Sequence, residues 1–305
     1  MAETTSQPQH RLLAESLNFA KSIGRRDVLK SADLERTHRE RLQKAGCLLE
    51  VMKGWYLLTS PGAAGSSTAW FGSFWDFLSY YLTDRFGEDG YCLSAESSLT
   101  LLSGEGTVLS QITAITRKAS NQRVDLPHQT SVLIYQDEAS FPTSLERFNG
   151  LNVMPLPIAL VKVAPTYFQT EQLNIEIGLK LLPSVSDLSR ALIAARAPAA
   201  ANRLAGAFDA LGESDKARQI VGDMAATGLT VTPTNPFEST PTLIGKRWKP
   251  RSPYAGRIQA IWEKMRTDVI NNFPKAPGLR EEKSGNVIRV INDLYKQDAY
   301  HSLSI

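Results

Sequence analysis

Three polar side chains near the N-terminus recur at helical spacing and have types that recognise nucleic-acid bases. Arg36, Arg39 and Gln43 stand three and four residues apart, so on a helix they would share one face. In the major groove, arginine pairs bidentately with guanine and glutamine with adenine. The spacing therefore predicts a base-reading surface. A helix with interspersed Arg and Glu is more commonly just solvated, and that alternative stays open.

Further cations flank this segment. Arg25, Arg26, Lys30 and Lys53 lie where a DNA-binding module places its phosphate contacts, which set affinity rather than sequence choice. Trp55, directly after the glycine of a predicted hairpin turn, completes the candidate DNA-binding set. The expected partner is double-stranded DNA at the promoter of the chain's own gene.

The elements that would position these residues form a compact pattern. Helices are predicted at residues 12–23, 25–30 and 34–44, followed by a hairpin at 48–58. His38 falls on the apolar side of the third helix and is interpreted as a core histidine. Three helices followed by a hairpin are typical of a winged helix-turn-helix domain, whose third helix enters the major groove. Some winged helices bind protein instead, so a protein-interaction module is a further alternative.

This segment also resembles the winged-helix domain of abortive-infection type IV antitoxins, the AbiEi-like proteins. The resemblance is carried by Leu42-Gln-Lys-Ala-Gly46, followed by Lys53-Gly-Trp-Tyr-Leu57. It implies a domain that binds operator repeats and represses its own operon.

The middle of the chain, residues 63–232, is predicted to be a mixed α/β and helical domain without a catalytic constellation. His128 has no nucleophile and supporting acid in a recognisable motif, and the Gly104–Gly106 segment lacks the context of a dinucleotide fingerprint. The aromatic side chains of its first helix mark a core face more than a stacking platform for bases. Helices are predicted at 68–86, 94–102, 173–182, 186–194, 199–211 and 214–226, antiparallel strands at 111–117, 122–126 and 131–136, and a further strand at 151–154.

Composition narrows the class of protein. The 305-residue chain is 42% hydrophobic and 21% charged, which is typical of a soluble globular protein. It shows no signal peptide and no apolar run approaching the ~20 residues that span a bilayer. Cys47 and Cys92 have no metal-site or disulfide spacing. We therefore expect a cytoplasmic protein with no membrane partner, no metal site and no cofactor bound to this chain.

The C-terminal third begins with a proline-rich stretch. Residues 233–253 contain five of the 16 prolines, so 233–252 is predicted to be a linker or an arm laid across a surface. Two amphipathic helices follow, one from Ser252-Pro253 and one after Gly285. The second has an apolar face from Val287 to Tyr295, which we expect to be only partly buried.

The last residues, Tyr300-His-Ser-Leu-Ser-Ile305, resemble the start of the inhibitory helix of Fic (filamentation induced by cAMP) proteins. Ser302 would be the hydroxyl residue of that motif, and its glutamate would follow Ile305. The catalytic signature His-x-Phe-x-x-Gly-Asn-Gly-Arg is absent from the chain. The resemblance implies the front part of a longer protein that transfers AMP to protein hydroxyls. ATP and Mg would belong to the missing Fic core, and no residue of this chain would be catalytic.

Together these patterns predict an α/β (α+β), predominantly helical chain with four regions. They are a winged helix-turn-helix (1–62), a mixed domain (63–232), a proline-rich linker (233–252) and C-terminal helices (253–305). From Arg203-Leu-Ala-Gly206 to Ala217-Arg-Gln-Ile-Val-Gly-Asp-Met224 the mixed domain resembles AbiEi-like regions fused to Fic domains, and that resemblance makes the C-terminal helices the opening helices of a truncated Fic domain. The predicted function is DNA binding and transcription regulation in a Fic-type protein. The alternative is a stand-alone repressor resembling a type IV antitoxin, without enzymatic activity. A homodimer is left open in both cases.

Overall fold

The structure, a computed structural model, describes residues 6–62, 67–118, 120–237, 241–244, 250–273 and 288–294. It divides into two compact units, Met1–Glu263 and Lys264–Ile305, which are described separately. The secondary structure is a mixture of helices and strands, so the prediction of a mixed α/β chain is confirmed at this level.

The N-terminal region contains two helices and three strands rather than three helices and a hairpin. Its elements are α1 (Ser6–Ile23), β1 (Val28–Lys30), α2 (Arg36–Lys44), β2 (Leu48–Met52) and β3 (Trp55–Leu58), followed by the long helix α3 (Ser67–Phe86). The strands form an antiparallel sheet in the order β1-β3-β2.

The predicted helix at 25–30 is wrong, because Val28–Lys30 pairs with β3 as a strand. The reason lies in the burial of both sides of this segment. Val28 packs in the cluster formed with α3, whereas Leu29 packs in the cluster shared by α1 and α2. Only a strand sends neighbouring side chains to opposite faces, so the two flanking layers override the local helical pattern.

A second sheet follows α3 and is built from β4 (Tyr91–Leu93), β5 (Gln111–Thr116), β6 (Asn121–Leu126) and β7 (Thr130–Gln136), with α4 (Ala95–Leu102) between its first two strands. The strand order is β4-β5-β7-β6, and β5 runs parallel to β7. The predicted antiparallel pair of β5 with β6 is therefore wrong, because β5 pairs with β7 instead, whereas the antiparallel pair of β6 with β7 is confirmed. Burial explains the order, because the largely buried β7 lies inside the sheet and the more polar β6 lies at its edge.

The remaining part of the first unit is mainly helical. It contains a hairpin of β8 (Glu146–Phe148) and β9 (Leu151–Val153), then α5 (Leu156–Lys162), α6 (Tyr167–Thr170), α7 (Gln172–Leu181), α8 (Val185–Ala194), α9 (Pro198–Ala210), α10 (Ser214–Ala225) and the first part of α11 (Pro253–Asn272). Helices α7 to α10 agree with the predicted ranges within a residue or so. The predicted helices at 68–86 and 94–102 are likewise confirmed as α3 and α4, and Ser94 caps α4 by accepting from the Ser97 amide.

The described part of the proline-rich stretch is an arm laid across helices. The Asn202 side chain and carbonyl accept hydrogen bonds from the Thr232 and Thr234 amides at 2.8 and 3.0 Å. Farther along, the buried Glu176 carboxylate accepts from the Leu243 and Ile244 amides. Burial raises the pKa of Glu176, and these backbone donors oppose the shift. Four backbone amides of the arm are thus paired with α7 and α9.

The start of α11 and the helical segment at residues 288–294 lie in different units. In the first unit Gly256 touches Ile177, and Arg257 donates to the Ser103 carbonyl at 3.1 Å, so the helix begins against α4 and α7. In the second unit residues 288–294 are helical, as predicted. Ile288, Val290, Ile291 and Leu294 are 54 to 60% exposed, whereas Val287 and Tyr295 lie outside the described residues.

Gly206 on α9 provides a test of the arm. A Cβ atom at this position would lie 2.0 Å from the Thr234 carbonyl oxygen, so Gly206→Ala must displace the arm. We expect the free energy of unfolding to fall by about 1–3 kcal/mol in denaturant titrations. Gly222→Ala on α10 is the matched control, because nothing lies within 4 Å of its Cβ position. Gly222→Ala should be neutral or stabilise the protein by up to ~1 kcal/mol. Equal losses of stability in both variants would contradict the close packing of the arm against Gly206.

Candidate nucleic-acid interface

One face of helix α2 packs against α1, and the opposite face is therefore its outer face. Leu42 is fully buried, and the His38 ring stacks on Phe19 with centroids 4.7 Å apart. His38 Nδ1 also lies 2.9 Å from the Ser16 hydroxyl, so the interpretation of His38 as a core residue is supported. Arg41 donates to the same hydroxyl at 2.7 Å. These contacts tie α2 to α1 and leave its opposite face in solvent.

The outer face of α2 carries mixed charge. Arg36 donates to Glu40 at 2.6 Å, and both side chains are mostly exposed, at 81 and 58%. The hydrogen bond to Glu40, and then its charge, raises the pKa of the Arg36 guanidinium. Gln43 and Lys44 are exposed beside this pair. The DNA-binding residues predicted from the sequence did not include Lys44, although its place in the last turn of the predicted helix could have suggested it.

Arg39 and Lys53 are connected through the turn that precedes α2. Arg39 is half-buried, and its guanidinium lies 3.5 Å from the Ser31 carbonyl oxygen. The Ser31 amide donates to the Gly54 carbonyl at 2.9 Å, next to exposed Lys53 in the β2–β3 turn. Gly54 has φ +86°, a conformation that favours glycine. Arg36, Arg39, Glu40, Gln43, Lys44 and Lys53 are called the α2 surface below.

The other predicted phosphate contacts lie elsewhere, against α3. Arg26 pairs with Asp76, and Lys30 Nζ lies 2.6 Å from a carboxylate oxygen of Asp84. The Arg25 guanidinium stacks over the Tyr80 ring at 4.6 Å. These three cations connect the first sheet to α3 and do not join the α2 surface.

Trp55 is buried in the contact region between the first sheet and α3, which is called the seam below. Its ring makes edge contacts with Phe77, Tyr80 and Tyr81, at centroid separations of 5.0 to 5.7 Å. The Tyr80 hydroxyl donates to Asp33 at 3.0 Å. Burial, followed by that hydrogen bond, raises the pKa of Tyr80 to about 12. The indole of Trp55 is therefore a packing group that is only 7% exposed.

Sequence reasoning missed the partner side of this seam, although a signal was present. Asp76, Tyr80 and Asp84 recur every four residues along α3, so they form one polar row on its surface. Two carboxylates and a tyrosine ring in one row can all contact cations, so this row indicates a basic neighbour. The basic segment at 25–30 is that neighbour.

Within the described ranges, no group of three or more His, Cys, Asp or Glu side chains could hold a metal ion. None of the helices there is long and apolar enough to span a membrane. His128 lies in the β6–β7 turn with φ +54°. Ser302, the residue assigned to an inhibitory helix, falls outside the described residues.

Comparison with known proteins found no matching family model and no matching curated protein. The AbiEi-like and Fic-like resemblances therefore depend on the residues that suggested them.

Mutations can distinguish the packing role of Trp55 in the seam from the exposed position of Lys53 on the α2 surface. Trp55→Ala removes a buried aromatic ring, so we expect the free energy of unfolding to fall by about 3–5 kcal/mol. Lys53→Ala, two residues earlier in the exposed turn, should change it by less than ~0.5 kcal/mol. Chemical denaturation of both variants is the measurement. A stability loss of similar size in both, or in neither, would show that Trp55 is not the packing group described.

Proposed function

We propose that this chain binds double-stranded DNA by inserting α2 into the major groove. The observation that carries the proposal is the outer face of α2, which presents Arg36, Gln43 and Lys44 to solvent. The sheet order β1-β3-β2 beside α1 and α2 supports a winged-helix arrangement. In this arrangement the turn at residues 31–34 takes the place of a second helix.

The dimensions of α2 suit that role. The helix has nine residues, which at 1.5 Å per residue makes it about 13 Å long. The major groove is about 12 Å wide, and an α-helix with its side chains is about 10–12 Å in diameter. The β2–β3 turn has only two residues between its strands, so its contribution is best represented by a single phosphate contact from Lys53.

Charge pairing across the seam lowers the number of cations left for phosphates. The α2 surface retains Arg39, Lys44 and Lys53 for phosphates, because Arg36 is paired with Glu40, and Arg26 and Lys30 are paired with carboxylates of α3. Each neutralised phosphate contributes about −0.9 to the slope of log K against log salt. Three contacts therefore give a slope of roughly −3.

The two regulatory hypotheses share this surface. A Fic-type regulator and a stand-alone repressor would both use α2, and both remain proposals. They differ beyond Ile305, where the gene of a Fic-type protein should encode the missing glutamate and the His-x-Phe-x-x-Gly-Asn-Gly-Arg signature. A protein-interaction module would share the fold but lack the salt-dependent affinity for DNA.

The direct test is a fluorescence anisotropy titration with duplex DNA from upstream of the chain's own gene, over a series of salt concentrations. Gln43→Ala should cost about 1–3 kcal/mol on the preferred duplex and relax base preference at one position. Lys53→Ala should weaken every duplex alike and reduce the magnitude of the salt slope by about 1.

Arg26→Ala is the matched control, because it removes a turn cation that is already paired with Asp76. It should leave the salt slope unchanged. Failure of the wild-type chain to bind the upstream duplex at low salt would refute the proposal. An equal loss from Arg26→Ala and Lys53→Ala would refute the assignment of the contacts to the α2 surface.

A further inference from the structure

Glu40 occupies the middle of the α2 surface. It follows Arg36 by one helical turn and precedes Lys44 by another, so the three side chains form one row along the helix. The Glu40 side chain is 58% exposed and accepts the hydrogen bond from Arg36. A helix evolved only for phosphate attraction would not place a carboxylate at this position, because it repels the DNA backbone.

Helix stability gives a weak reason for this glutamate. An exposed ion pair between residues four apart contributes little, because water screens it and both side chains lose freedom. The stronger reason is chemical. In the major groove the N4 amino group of cytosine is a donor that a carboxylate can accept from, and the other groups on G·C pairs are acceptors that repel it.

We infer that Glu40 is a specificity-determining residue that accepts from a cytosine N4, while Arg36 donates to a neighbouring guanine. This inference rests on the proposed function. One helical turn rises 5.4 Å, and successive base pairs are 3.4 Å apart. Two side chains one turn apart therefore reach adjacent or next-but-one base pairs. The Arg36–Glu40 hydrogen bond holds the two groups side by side before binding.

The experiment is selection from a library of random duplexes by the full chain, followed by affinity measurements on the selected sites. Three proteins are compared: wild type, Glu40→Gln and Glu50→Gln. Glu50 is an exposed acidic residue on β2, so its variant removes the same charge from the same region without altering α2.

Wild type should select a cytosine at one position and discriminate against the other bases there by about tenfold. Glu40→Gln should lose that preference, shift it towards adenine and bind unselected duplexes more tightly. Glu50→Gln should keep the wild-type base profile.

Each other result has a distinct meaning. If wild type binds DNA and Glu40→Gln selects the same bases, Glu40 acts only through charge; the inference is then wrong and the proposed function stands. If Glu50→Gln shifts the profile as Glu40→Gln does, the inference is also wrong. If none of the three proteins selects any duplex at low salt, the proposed function itself is refuted.

Discussion

The packing of Trp55 against α3 is the contact on which the geometry of the N-terminal region depends. The indole is enclosed by Phe77, Tyr80 and Tyr81, and burial of an aromatic side chain of this size is among the larger favourable terms in a small core. The first sheet is thereby covered on both faces, by α1 and α2 on one side and by α3 on the other. The position of α2 follows from this layering.

The same seam redistributes charge. The carboxylates of α3 face the basic segment before and within β1, and they engage Arg26 and Lys30. Cations in ion pairs are poor phosphate ligands, because binding DNA would leave the carboxylates unpaired close to the phosphate backbone. In the proposed mode of DNA binding, the cations left for phosphates are therefore Arg39 and Lys44 of α2 and Lys53 of the adjacent turn.

Buried polar groups play a comparable role in the helical part of the first unit. Glu176 pairs with the backbone of the arm, and Arg257 pairs with Ser103, Asn174 and Glu105. Each group would be costly to bury alone. The contacts of Glu176 fix a proline-rich segment that, by composition, could equally have been a free linker, and those of Arg257 fix the start of α11.

The sequence by itself determined the features that depend on local periodicity. Apolar spacing located α7 to α10 closely, the aromatic spacing of α3 predicted a core face, and the polar spacing of α2 predicted an outward row of base-reading types. The tertiary structure decided what depends on distant partners. Residues 28–30 became a strand because two layers bury opposite sides of them. Strand β5 pairs with β7 and not with its neighbour in sequence, β6, because the more buried β7 takes the inner position in the sheet. Arg26, Lys30 and Trp55 contact residues of α3 that lie 22 to 54 residues farther along the chain. Residue type and spacing do not encode which of several acceptors a cation meets; that choice is made by the fold that brings them together.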